Sequence, residues 1–177
     1  MTKSSRVLTA FGLLVLAAAP ARAHDTGFGH SRRTIIFSAR PEEFLLEYRI
    51  VLSPDEALVE MTRMDRNRDG RVSADEKDRY FAERARELVR GWELSTAEGE
   101  RLEPVLAHVE LGHSLTQTYR FTVSTAERTM FFVDTNFSHK PGQVSILSGP
   151  GLKAVPQAAM NLTHAERISV VVTRTTK

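Results

Sequence analysis

The sequence contains no cysteine and a single tryptophan. Without a thiol there is no disulfide framework, no thiolate metal site, no cysteine nucleophile and no lipid-bearing N-terminal cysteine. Charge of one sign is also lacking, the formal net charge being only +2. No segment clusters Lys and Arg with interleaved aromatics, so nothing reads as a nucleic-acid footprint. No stretch reaches the roughly 20 apolar residues that a membrane-crossing helix needs. Catalytic signatures are missing too: there is no Gly-x-Ser-x-Gly elbow, no His-Glu-x-x-His and no phosphate loop. These absences point away from an enzyme, a nucleic-acid partner and membrane insertion. The chain has no internal repeat and no low-complexity stretch.

What is present begins with a leader. Lys3 and Arg6 precede an apolar run from Val7 through Ala19, followed by Pro20 and the small-residue pattern Ala21-Arg22-Ala23. This is the anatomy of a secretory signal peptide over 1–23, with cleavage after Ala23. The mature chain would be a single domain, 24–177, starting at His24. Loss of Lys3, Arg6 and Arg22 and of no acid takes the formal charge from +2 to −1. Roughly 150 residues are enough to bury one core without covalent staples. An exported chain without cysteine fits a periplasmic or secreted protein.

Period-two patterning dominates the rest. Thr34 to Phe37 reads as a strand closed by Pro41, and Phe44, Leu46, Tyr48 and Ile50 share one face of the next. Val105 to Leu111, Tyr119 to Val123, Met130 to Val133, Val144 to Ile146 and Ile168 to Val172 continue the series. Between the second and third of these runs the pattern becomes helical. Ser53, Pro54 and Glu56 form a helix start with a capping box, and Leu58, Met61 and Met64 supply an apolar stripe. A second helix starts near Ala74, with Phe81, Ala85, Leu88 and Trp92 on one face and Gly91 at its end. The expected fold class is α+β: a mostly antiparallel β-sandwich with a helix-loop-helix at about 53–91 inserted between strands.

The loop joining the helices reads Asp65-Arg66-Asn67-Arg68-Asp69-Gly70-Arg71-Val72-Ser73-Ala74-Asp75-Glu76. It resembles the EF-hand calcium-binding family at every diagnostic position. The resemblance implies Ca²⁺ held by side-chain oxygens of Asp65, Asn67 and Asp69, the backbone carbonyl of Arg71, Ser73 through a water, and both carboxylate oxygens of Glu76. Gly70 takes the sixth position, where the chain turns sharply. Val72 takes the eighth, used for a strand contact in paired EF-hands. A surface turn at Asp69-Gly70 followed by a Ser73-x-x-Glu76 capping box would explain half of these residues and leave Asp65 and Asn67 without a role. No second loop accompanies the first: the stretch from Asp134 to Gly142 misplaces its glycine and lacks a closing glutamate. The side chains of Arg66, Arg68 and Arg71, none of them a ligand, offset part of the attraction for a cation, so the expected affinity is micromolar to millimolar.

The implied function is exported calcium binding, for structural stabilisation or for calcium-dependent interaction with a partner. A different reading starts from histidine. His24 as a free N-terminus, with His30, His108, His113 or His139, would chelate copper, nickel or cobalt. In overall layout the chain is also similar to extracytoplasmic domains associated with nickel/cobalt-type permeases, which implies an envelope or transporter partner. Six histidines are ordinary usage for this length, and no pair has the spacing of a metal cluster.

Overall fold

The computed structural model describes residues 32–112, 116–136, 142–156 and 167–175. The leader expected at 1–23, along with His24, His30, His113 and His139, lies outside them. Nine strands and two helices are described: β1 (Arg32–Arg40), β2 (Glu43–Val51), α1 (Pro54–Met64), α2 (Ala74–Arg90), β3 (Trp92–Thr96), β4 (Val105–Leu111), β5 (Thr116–Ser124), β6 (Thr129–Asp134), β7 (Val144–Ser148), β8 (Leu152–Pro156) and β9 (Ile168–Arg174). The class is α+β. One sheet runs β4-β5-β2-β1-β7 and the other β3-β6-β9-β8. Every pairing is antiparallel except that of β1 with β7.

Register explains why alternation in sequence becomes one apolar face. Leu46 stands beside Phe37 on β1 and Phe121 on β5, while Tyr48 stands between Ile35 and Tyr119. All six are buried. In the second sheet Phe132 lies between Leu94 and Val170, again all buried. The two faces share one core. Ring contacts join them: Phe37 meets Phe132 at 5.5 Å, and Trp92 meets Phe121 at 4.8 Å, both edge to face. Burial of each such side chain contributes about 1.5–3 kcal/mol.

A buried polar cluster also spans the sheets. Arg33 on β1 and Tyr48 on β2 reach Asp134 at the end of β6. Arg174 on β9 donates to the carbonyls of Pro41 and Thr125, with its guanidinium 4.4 Å from the centre of the Phe44 ring.

The helical pair follows β2 and precedes β3. Ser53 caps α1, its hydroxyl accepting from the Glu56 N–H while the Glu56 carboxylate accepts from the Ser53 N–H. The stripe expected on α1 differs from the observed one. Ala57 and Met64 are buried, while Leu58 and Met61 are 68% and 53% exposed. Docking through the small Ala57 side chain turns that part of the apolar stripe outward. The expected α2 stripe also ends early. Gly91 closes the helix with its N–H on the carbonyls of Leu88 and Val89, and Trp92 opens β3. Trp92 still enters the core, from a strand. Val105 to Leu111 forms a strand as its alternation predicts, yet none of its residues is fully buried. It lies at a sheet edge with a register shift between Leu106 and His108, so neither face gains full cover.

No described helix is long and apolar enough to cross a membrane.

Candidate metal centre

Helix α1 stops at Met64, and the N–H of Asp65 bonds back to the carbonyl of Met61 at 3.0 Å. Helix α2 starts at Ala74 under a second capping box: the Glu76 N–H donates to the Ser73 hydroxyl, and the Glu76 carboxylate accepts from the Ser73 N–H. The chain must reverse between these two caps. It does so through left-handed backbone at Arg68 (φ 60°) and Gly70 (φ 80°). Glycine suits the second position because it adopts that conformation without the Cβ penalty. Arg68 carries the penalty and is the only described non-glycine residue with positive φ.

Polar side chains of the loop bond its own backbone N–H groups. Asp65 accepts from the N–H groups of Asp69 at 3.1 Å and Gly70 at 2.9 Å. Asn67 accepts through its amide oxygen from the Asp69 N–H at 2.9 Å and donates through its amide to Asp69. Asp69 accepts from the Arg71 N–H at 2.8 Å. Glu76 reaches back across the loop to the N–H groups of Arg66 and Asn67 at 3.0 and 3.2 Å. Asp65, Asn67, Asp69, Arg71, Ser73 and Glu76 therefore form one connected network.

The carboxylates do not converge. Among the described residues, no three side chains of His, Cys, Asp or Glu are gathered as a metal cluster. In this arrangement the oxygens of Asp65, Asp69 and Glu76 serve backbone amides. The chemistry of the donor set nonetheless suits a hard divalent cation, because every candidate ligand presents oxygen. The loop is mostly exposed, with Asp65, Val72 and Glu76 half-buried, and Arg66, Arg68 and Arg71 make no ion pair among the described residues.

Electrostatics favour an ionised Glu76. The Ser73 N–H and hydroxyl, followed by the N–H groups of Asn67 and Arg66, pull its pKa down to about 2. Each donor stabilises the carboxylate over the acid. Its place in the first turn of α2 adds the favourable end of the helix dipole.

A tyrosine ties the loop's two helices together. Tyr80 on α2 donates to the Glu60 carboxylate on α1 and accepts from the Gln117 side-chain amide on β5. Burial, with the Glu60 hydrogen bond second, pushes its phenol well above the usual range. In sequence Tyr80 reads only as a residue flanking the loop, because its partners lie 20 and 37 positions away. Of the histidines, His108 alone is described among those considered for transition metals. It is exposed on β4 opposite Arg120. Asp134, from the rejected second stretch, is fully buried against Tyr48.

No protein-family model matches the chain, and no curated protein matches it.

Proposed function

We propose that this is an exported, non-enzymatic calcium-binding protein. One ion would sit in an EF-hand loop at Asp65–Glu76, in a helix-loop-helix inserted into a β-sandwich. The observation that carries the reading is the coincidence of two features. Left-handed backbone occurs at the fourth and sixth loop positions, and side-chain oxygens at the first, third, fifth and twelfth all accept from backbone N–H groups within the loop. A plain surface turn requires neither the second reversal nor the reach of Glu76 across the loop.

Asp65, Asn67, Asp69, Glu76 and the Arg71 carbonyl would hold the ion, with Ser73 at the ninth position. The ion supplies positive charge and no redox chemistry. In the structural case the ion would help to fix α1, which buries only Ala57 and Met64; in the other it would control interaction with a partner. Calcium binding would then raise stability by mass action, about 2.7 kcal/mol at a hundredfold excess over Kd. The copper, nickel or cobalt reading gains no support from His108, whose cross-strand neighbour is a cation.

Titration calorimetry on chelator-stripped protein tests the proposal. One site of micromolar to millimolar affinity is expected, and Glu76→Gln should weaken it at least tenfold while retaining size and helix propensity. An unchanged affinity in that variant would remove the loop from the account.

A further inference from the structure

Strand β4 closes one edge of the five-stranded sheet, and among the described residues its outer side pairs with nothing. An open edge presents a row of backbone donors and acceptors to any extended chain. Here it also presents apolar side chains: Val105, Leu106 and Leu111 are 63%, 37% and 44% exposed. A groove of about 490 Å³ lies between α2 and the start of this strand. Ala85, Val89, Leu106 and Phe121 line it, and among the described residues Arg86 and Arg90 are the only charged ones that do.

Charge selects the occupant. Arg86 and Arg90 stand one helical turn apart and form no ion pair among the described residues. A helical turn rises about 5.4 Å, and same-face residues on a strand repeat every 6.4–6.8 Å or so. Two acidic residues at alternate positions of an extended segment thus have nearly the spacing of two guanidiniums at i and i+4. A third same-face residue, if apolar, reaches the groove floor. Main-chain pairing supplies affinity in such an addition, and the alternate side chains supply specificity.

We infer that β4 and this groove receive an extended segment of a partner protein carrying acidic and apolar residues at alternate positions, added as an outer strand of the sheet. The segment's carboxylates meet Arg86 and Arg90, and its apolar side chain fills the groove beside Leu106. This surface is separate from the loop at Asp65–Glu76 and does not rest on the calcium reading.

The test uses a fluorescein-labelled octapeptide, Thr-Glu-Thr-Glu-Thr-Leu-Thr-Val, and the same residues in reverse order, because either strand direction is open. Anisotropy titrations in chelator keep the result apart from calcium. Saturable binding of one order is expected, weakened at least tenfold by Arg86→Glu with Arg90→Glu and restored by a peptide with Lys in place of Glu. N-methylation of alternate peptide amides should abolish binding to the unaltered protein. Amide exchange at those residues of β4 whose N–H points away from β5 should be fast in the free chain and slow in the complex. Three outcomes overturn the inference: no preference for acidic over basic peptide, slow exchange of the outward β4 amides without peptide, or a dimer in sedimentation that the same double substitution dissolves. The last would make the occupant a second copy of this chain.

Discussion

Tyr48 donates its phenolic hydrogen to Oδ2 of Asp134 at 2.5 Å, linking β2 of one sheet to β6 of the other inside the core. Both residues are fully buried. Arg33 approaches the same oxygen at 3.8 Å, while the backbone N–H and side-chain amide of Asn136 hold Oδ1 at 2.9 and 2.8 Å. Asp134 is thus surrounded by donors, as a buried carboxylate must be. Burial, with the Asp134 carboxylate second, pushes the Tyr48 phenol well up, so it stays a donor across the accessible pH range.

The cluster makes an asymmetric prediction. Tyr48→Phe removes one donor and should cost about 1–3 kcal/mol. Asp134→Ala takes away the carboxylate facing Arg33 inside the core and should cost about 3–5 kcal/mol. Urea denaturation of the two variants measures both. Equal losses would mean that the ion pair adds nothing beyond the hydrogen bond.

Gly70 is required for its conformation alone. Its φ is 80°, and an added Cβ would meet nothing within 4 Å. Gly70→Ala should therefore cost about 1–2 kcal/mol through backbone strain without any packing defect. Arg68, at φ 60°, already bears strain of this kind, so Arg68→Gly should relieve part of it. Thermal melts in chelator read both variants, and opposite signs are expected.

The Glu76 carboxyl gives a pH test. Its folded-state pKa is about 2 against an ordinary 4.5. A lowered pKa means that the folded state binds the proton less readily than the unfolded chain. The associated stability is complete above pH 4.5 and fades as the pH falls toward 2. Carbon-detected NMR on calcium-free protein should show the Glu76 carboxyl still ionised at pH 3. Ser73→Ala, which removes the hydroxyl donor, should raise that midpoint. A midpoint near 4.5 in the unaltered protein would contradict the observed amide contacts.

Legibility in the sequence followed the range of the interactions. Both capping boxes and the loop register are set within a dozen residues, so Ser53, Glu56, Ser73 and Glu76 were readable from spacing. Alternation likewise marked the strands whose inward residues meet the other sheet. Strands β3 and β8 were not anticipated. Trp92 falls at helical spacing after Leu88, which disguised Trp92-Leu94-Thr96 as a helix tail, and β8 is a short strand that starts directly after a turn and ends on Pro156. The outward stripe of α1 and the uncovered β4 depend on what packs above them. The burial of Asp134 depends on Tyr48, 86 positions away. No local pattern carries that information.

Gly91 illustrates a glycine whose need is spatial. Its φ of −88° is open to any residue, yet an added Cβ would fall 2.3 Å from Oδ1 of Asn136. Asn136 sits there because its amide donates to the Leu88 carbonyl at 2.7 Å and to Asp134 at 2.8 Å, tying the end of α2 to the buried cluster. Gly91→Ala should push that side chain away and cost about 1–3 kcal/mol. Asn136→Ala should lose the same bonds directly. Once Asn136 is truncated the obstruction is gone, and alanine at position 91 should gain about 0.4–1 kcal/mol by restricting the unfolded chain. A double-mutant cycle by urea denaturation therefore predicts a change of sign: Gly91→Ala harms the native background and helps the Asn136→Ala background. Additive losses would place the cost elsewhere than in this contact.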